Sequence, residues 1–507
     1  MRWAENVTVR HARKFIVRRM VSVREVRRHI ILWAMAVGLL IAASGLQLMW
    51  YQRNYQVSAT ASGGTYAEAV LGPIDTLDPL FASTSAEQSA AQLLFSRLMT
   101  YDTSGHINND LASSVTTDNT GTLYTVKIRS DARWHDGIQL TTKDIAFTLG
   151  LIKNSTVRSL ITGWNDIAVS VVDDVTITFK LPAIYAAFPH ALTFPILPEH
   201  ILSKVEPNAL RENDFSNNPI GSGPFKLRFI QDEDLTTGRR IVHMERNDAY
   251  YKGATKLERF QLHVYGTHDA IVKALASGEV NAAADLTSSD VTQVNKERYN
   301  ITSSPIQSGV YALFNTIKNT MKDKTVRQAL QVGTNTQAIR DELGGDVPSL
   351  DLPFTNGQLV GDVPKVPNYD SALAASLLDS AGWKLDGAVR KKDGVELKLR
   401  VVSTKDSDYE RVLENLSGQW RELGIIVDTV IIDPSDATQG FVQNILQQRN
   451  FDVLLYQLTI GADPDIYAYW HSSQTSVRGF NFSNYANAVS DDALVSARSR
   501  LEPSLRN

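Results

Sequence analysis

The chain reads as an α/β protein of more than one lobe, carried behind an N-terminal membrane segment. Three observations predict this. An uncharged apolar run from Ile30 to Tyr51 follows a basic leader. From Thr65 onward, stretches of period-two alternation are interleaved with stretches of helical periodicity, the pattern of sheets flanked by helices. A chain of 507 residues also exceeds what one hydrophobic core organises, so two or three lobes are expected.

The first 53 residues hold ten Lys or Arg against Glu5 and Glu25, a net +8; in a chain of net −4 the remainder carries −12. A hydrocarbon core of about 30 Å needs roughly 20 helical residues, so 30–51 can span it. Residues 1–29 then form a basic cytoplasmic segment, with the acidic body on the extracytoplasmic side, in the periplasm or at the cell surface. Trp33, Trp50 and Tyr51 suit the two interfaces. The run also fits a cleaved signal segment, with Ala42-Ala43-Ser44 as its small-residue site, although apolar residues continue through Trp50. An acidic body argues against a nucleic-acid partner. There is no cysteine, which excludes disulfides, thiolate metal sites, a cysteine nucleophile and a lipidated N-terminal cysteine.

Residues 52–64 are a polar, small-residue linker. Thr65 to Leu71 is a predicted strand, Ile74 to Ser85 a loop and Ala86 to Met99 a helix. Tyr124, Val126 and Ile128 alternate with Thr125, Lys127 and Arg129, and Asp136-Gly137 marks a turn. Thr142 can then cap a helix carrying Ile145, Phe147 and Leu149. Val169 to Leu181 reads as a hairpin around Asp173-Asp174. Leu257 to Val264, a helix near Asp269 to Ala276 and Val280 to Asp285 form a strand–helix–strand unit. Beyond it come strands at Val310 to Phe314, Leu397 to Val402, Ile425 to Ile432 and Phe451 to Leu458. Helices are expected at Asp323 to Val332, Ala372 to Ala381, Tyr409 to Leu423 and Asp491 to Arg500.

No enzyme motif appears. G-x-S-x-G, H-E-x-x-H, a P-loop and a complete G-x-G-x-x-G are missing, and Gly221-Ser222-Gly223 lacks a third glycine to cradle phosphate. His263 and His268 do not stack on one helix face and have no completing carboxylate. The expectation is a protein that is not an enzyme and has no cofactor or metal site.

Eight motifs fall in order from Leu77-Asp78-Pro79 onward. They include Trp134-His135-Asp136-Gly137, Pro219-Ile220-Gly221-Ser222-Gly223-Pro224-Phe225 and Leu275-Ala276-Ser277-Gly278-Glu279-Val280. Phe314-Asn315, Val326-Arg327-Gln328-Ala329-Leu330, Leu378-Asp379-Ser380-Ala381-Gly382-Trp383 and Ala462-Asp463-Pro464-Asp465 complete the set. In this order they resemble the family 5 extracellular solute-binding proteins, the dipeptide and oligopeptide receptors of ABC importers. The resemblance implies a two-lobed, periplasmic-binding-protein-like clamp of type II with an extra domain inserted in lobe one. Carried over, lobe one is 65–95, 219–308 and a return at 456–507; the extra strand-rich domain is 96–218, and lobe two is 309–455. Crossings near Ser308 and Leu455 would form the hinge. The chain also stops earlier than the pattern leads one to expect.

The resemblance implies capture of a di- or oligopeptide between the lobes by a monomer and delivery to a permease with its ATPase. A nickel chelate, haem or an oligosaccharide is the alternative ligand, and a membrane-anchored sensor the alternative role. Asp463 matches the aspartate that pairs with a peptide's α-ammonium in relatives; Pro464 and Asp465 depart from the usual aromatic and leave Asp465 as a second candidate. Ser83, Thr84 and Ser85 match a segment beside the bound peptide. Asn315, Tyr456 and Trp470 are further cleft candidates. Gly137, Gly221, Gly223 and Gly382 read as turn and packing residues, Trp134 and Trp383 as core, and His135 as a hydrogen-bonded structural histidine.

Overall fold

In the computed structural model, the residues described are 27–55 and 62–506, apart from 235–237, 304–305, 345–346, 356–357, 360–362, 435, 437 and 503–504. Most of the basic leader lies outside them. The chain forms two compact units, Met1–Ser62 and Gly63–Asn507. In the first, a single helix runs from Arg27 to Tyr55. Its stretch Ile31–Trp50 has a mean hydropathy of 2.0. By length and composition it suits a membrane span or a signal segment.

In the second unit the first sheet has strands β1 (Thr65–Leu71), β8 (Phe225–Asp234), β9 (Arg239–Arg246), β10 (Arg259–Tyr265) and β11 (Ala282–Ala283), in the order β11-β1-β10-β9-β8. The central pairs β1–β10 and β1–β11 are parallel; β10–β9 and β8–β9 are antiparallel. Alternation sends Ala69 to one face, against Ile271 and Leu275 of helix His268–Ser277, and Val70 to the other. That helix starts on Thr267, whose side chain accepts from Ala270 N–H, and stops at Gly278, where φ is 79°.

Two smaller sheets fill the insertion. β2 (Met99–Tyr101) pairs with β3 (Ile107–Asn109). β4 (Ala112–Thr117), β5 (Leu123–Ile128), β6 (Ala168–Asp173) and β7 (Thr176–Lys180) form an antiparallel sheet ordered β4-β5-β7-β6. Tyr124, Val126 and Ile128 are buried as their alternation requires, in one core with Val70 and Val264 of the first sheet. The helix expected to start on Thr142 starts one residue earlier. Thr141 and Asp144 form a reciprocal capping box, while the Thr142 hydroxyl bonds to the Asp173 carbonyl.

The last large sheet comprises β12 (Ser308–Phe314), β16 (Lys398–Thr404), β17 (Ile426–Ile432) and β18 (Val453–Thr459), ordered β12-β18-β16-β17. A small meander of β13 (Lys384–Asp386), β14 (Val389–Lys392) and β15 (Val395–Glu396) sits beside it in sequence. Val401, Val453 and Leu455 face a core with helices Lys324–Val332, Ser371–Ser380 and Ser407–Glu422; Val402, Leu454 and Leu458 face the other side. Each of the three helices is capped by an aspartate: Asp323, Asp370 and Asp406. β12 and β18 pair from Ser308↔Thr459 to Phe314↔Val453, so the two expected crossings lie on neighbouring strands. Leu455 itself is inside β18, which continues to Thr459. Ile460, Ile466 and Phe482 then pack with Leu313, Val402 and Leu454, so the return segment first covers this second sheet.

Candidate functional site

The loop after β18 begins at Gly461, whose φ of 80° lies in the left-handed region that glycine adopts without penalty. That turn carries Asp463 inward, to 8% exposure. Its two oxygens take a bidentate pair from Arg506: Nη1 donates to Oδ2 at 2.6 Å and Nη2 to Oδ1 at 2.5 Å. Fork-to-fork geometry of this kind is the strong form of the charge-assisted bond. Nε2 of His190, from the helix Phe188–Ala191, is 3.5 Å from Oδ2. Burial lowers the His190 pKa, opposed by Asp463 and helped by Arg506, which favours the neutral ring. A neutral ring with its proton on Nε2 faces the carboxylate and accepts from the Tyr101 hydroxyl at Nδ1, 3.0 Å away.

Asp465 serves a separate arrangement. Its Oδ2 accepts from Arg498 Nε at 2.9 Å, and its Oδ1 accepts from the Tyr467 N–H at 3.1 Å. The Arg498 guanidinium lies over Tyr467 and Tyr185, 4.3 and 5.0 Å from the ring centroids. Thus Asp463 and Asp465 each hold a different arginine of the C-terminal segment.

The remaining candidates do not converge on Asp463. Thr84 is the N-cap of helix Ser85–Leu94, and its hydroxyl donates to the Pro73 carbonyl. Ser83 donates both its N–H and its hydroxyl to Glu87, whose carboxylate also accepts from the N–H groups of Thr84, Asp75 and Thr76. Ser83 and Ser85 are exposed on this rigid corner. Asn315 is a correction. It is fully buried, its amide donates to the carbonyls of Arg449 and Phe451, and its Oδ1 accepts from Asn484. Nothing of it is left for a ligand. Tyr456 packs between Phe441 and Phe482, with ring centroids 6.0 and 5.7 Å away. Trp470 packs in the same core, and its buried Nε1 has no hydrogen-bond partner. His190, Tyr101 and Arg506 carried no sequence signal, because only the fold brings them to Asp463.

Several motif residues have the structural roles expected of them. His135 accepts at Nδ1 from Gly221 N–H and meets the Gly223 carbonyl at Nε2; burial lowers its pKa to about 4. A Cβ on Gly221 would lie 1.8 Å from the Leu94 carbonyl oxygen, so this approach admits only glycine. Trp134 is buried, and Trp383 packs against the second lobe's core. Asp379 pairs with the buried Arg390 at 2.7 Å. Among the described residues no group of three His, Asp or Glu is arranged to hold a metal.

The profile of the family described as bacterial extracellular solute-binding proteins, family 5 Middle, matches residues 106–479. The oligopeptide-binding protein AppA of Bacillus subtilis is 28% identical over 86% of this chain and 81% of its own length. Its solved structure, in complex with a nonapeptide, superposes with a TM-score of 0.67 at 26% identity, covering 88% of both chains. The ABC transporter substrate-binding protein CtaP of Listeria monocytogenes gives a TM-score of 0.74 at 27% identity over 88% of both chains. NikZ of Campylobacter jejuni, in complex with Ni(L-His), gives 0.70 at 25% identity over 87% of this chain and 88% of NikZ. The arrangement of sheets, the ordered motifs and these likenesses lead to one conclusion: the chain belongs to the family 5 bacterial extracellular solute-binding proteins and has their two-lobed α/β fold.

Proposed function

We propose that this protein captures peptides outside the cytoplasm, held to the membrane by the helix Arg27–Tyr55, and delivers them as a monomer to an ABC permease with its ATPase. The observation that carries the reading is the likeness, over nearly the whole folded body, to a receptor solved with a nonapeptide. Capture takes place between lobes joined at β12 and β18. Asp463 accepts the peptide's α-ammonium. A cation leaving water needs a paired carboxylate, and Asp463 already holds a cation of the same charge. The incoming ammonium therefore exchanges with Arg506 rather than filling an empty site. Asp465, committed to Arg498 and to its own turn, shapes the loop.

Native mass spectrometry of the full chain, purified in detergent without denaturation, tests the class of ligand. Co-purifying peptide masses are expected; a nickel chelate in their place would move the protein beside NikZ. Protease treatment of intact cells is expected to degrade the body while leaving it cell-associated beforehand. Release of a mature form beginning near Gly45 would contradict the tether.

A further inference from the structure

A pocket of about 420 Å³ lies wholly within residues 79–195, between the first sheet's leading loop and helix and the inserted domain. Arg97, His190, Gln88, Gln92, Thr162 and Trp164 are among its walls. Among the described residues Arg97 and His190 are its only titratable lining residues, and burial works against a charge on His190. Arg97 is therefore the one full charge on the wall.

That charge is only partly compensated inside the protein: Asp110 acts on it, but burial outweighs Asp110 and lowers the Arg97 pKa. The Arg97 Nε is buried without a hydrogen-bond partner. The nearby carboxylate of Asp110 is already engaged by Lys252 Nζ at 2.5 Å, by the Tyr251 hydroxyl at 2.8 Å and by the Arg97 backbone N–H at 3.2 Å. A guanidinium whose burial outweighs its internal counter-charge is stabilised by an anion in the adjoining pocket. The amides of Gln88 and Gln92 and the hydroxyl of Thr162 add neutral donors, and Trp164 adds an apolar wall.

We propose that this pocket is a carboxylate subsite, in which Arg97 holds an acidic group of the bound peptide. The proposal rests on the peptide reading above, and it gives that reading a preferred substrate class. His190 both lines the pocket and touches Asp463. A peptide whose ammonium is at Asp463 therefore presents its first residues to the pocket, and the carboxylate is that of an early Asp or Glu side chain or, in a very short peptide, of the C-terminus.

The test is calorimetry of the full chain with alanine tripeptides in which glutamate or glutamine is walked through the three positions, each as free acid and as C-terminal amide. One glutamate position should bind about tenfold or more tighter than its glutamine counterpart. If the C-terminus is the source, amidation should cost that factor instead. Arg97→Gln should abolish the preference while leaving the glutamine peptides nearly unchanged, and Arg97→Lys, which keeps the charge and loses the fork, should retain part of it. A wild type with neither preference, or a preference unaltered in whichever variant folds, would overturn the proposal. If no tripeptide binds, glutarate becomes the probe. A rise in melting temperature with wild type that is absent from Arg97→Gln supports the subsite, and no rise overturns it.

Discussion

Ser83–Ser85 and Ala462–Asp465 were both expected beside ligand, and they are held by opposite means. The first is tied locally. Glu87, three and four residues on, gathers the N–H groups of Ser83 and Thr84 and reaches back to Asp75 and Thr76. The second holds its charges through arginines 33 and 43 residues further along. A polar cluster closed within a dozen residues is a scaffold, since no partner can leave without unmaking the segment. A carboxylate matched by a distant side chain can change partners while its own loop keeps its shape. His135 is an intermediate case: its partners Gly221 and Gly223 are distant in sequence, but close packing on Leu94 fixes them.

The largest effect expected from this contrast is on stability, at the local cluster. Glu87→Ala strands four backbone N–H groups and should cost about 4 kcal/mol in denaturant melts. A loss below about 1 kcal/mol would break the comparison. Burial works against the Glu87 carboxylate, but the backbone donors of Ser83, Thr84 and Asp75 outweigh it and hold its pKa below the usual value. Its contribution is therefore present above the unfolded pKa and is lost as pH falls through the lower folded one.

Next comes His135. Its folded pKa, lowered from 6.5 to about 4 by burial, means that the unfolded chain takes up a proton first as pH falls. Its contribution is complete above 6.5 and should drain away toward about 4, amounting to about 3 kcal/mol. His135→Gln should flatten this part of the stability–pH curve; an unchanged slope would show that the ring is not held neutral by its surroundings.

The smallest effect separates scaffold from exchangeable site. Arg506→Gln removes the internal cation from Asp463 and should tighten a free-amine peptide by about tenfold, or about 1.4 kcal/mol. The scaffold variant Glu87→Gln should move stability and leave affinity within about threefold. Weaker binding by Arg506→Gln would mean that the arginine supports the site rather than competing for it.

Local order was legible in the sequence to within a few residues. The strand at Thr65–Leu71 and the aspartate-capped helices are written in short-range alternation and capping chemistry. The helix expected over Ala86–Met99 ends at Leu94, because Phe95 caps it and the Leu94 carbonyl turns to the Gly223 N–H. The helix Thr336–Leu343 and the meander of β13–β15 carry too few apolar positions to announce themselves. Asn315 was misjudged because proximity to a crossing says nothing about which partners a buried amide finds. Asp463 could be singled out, but not Arg506 or His190, which reach it only through the tertiary fold.

The central claim is that Asp463 receives a peptide's ammonium in exchange for Arg506. Calorimetry of the full chain with one peptide in free-amine and N-acetylated forms, repeated on Asp463→Asn, tests it most directly. The free amine should bind wild type hundreds of times more tightly than the acetylated form, and Asp463→Asn should erase that difference, since an unpaired buried charge costs about 3–5 kcal/mol. Equal binding of the two peptides to wild type, or a difference that survives Asp463→Asn and disappears only in Asp465→Asn, would contradict the assignment.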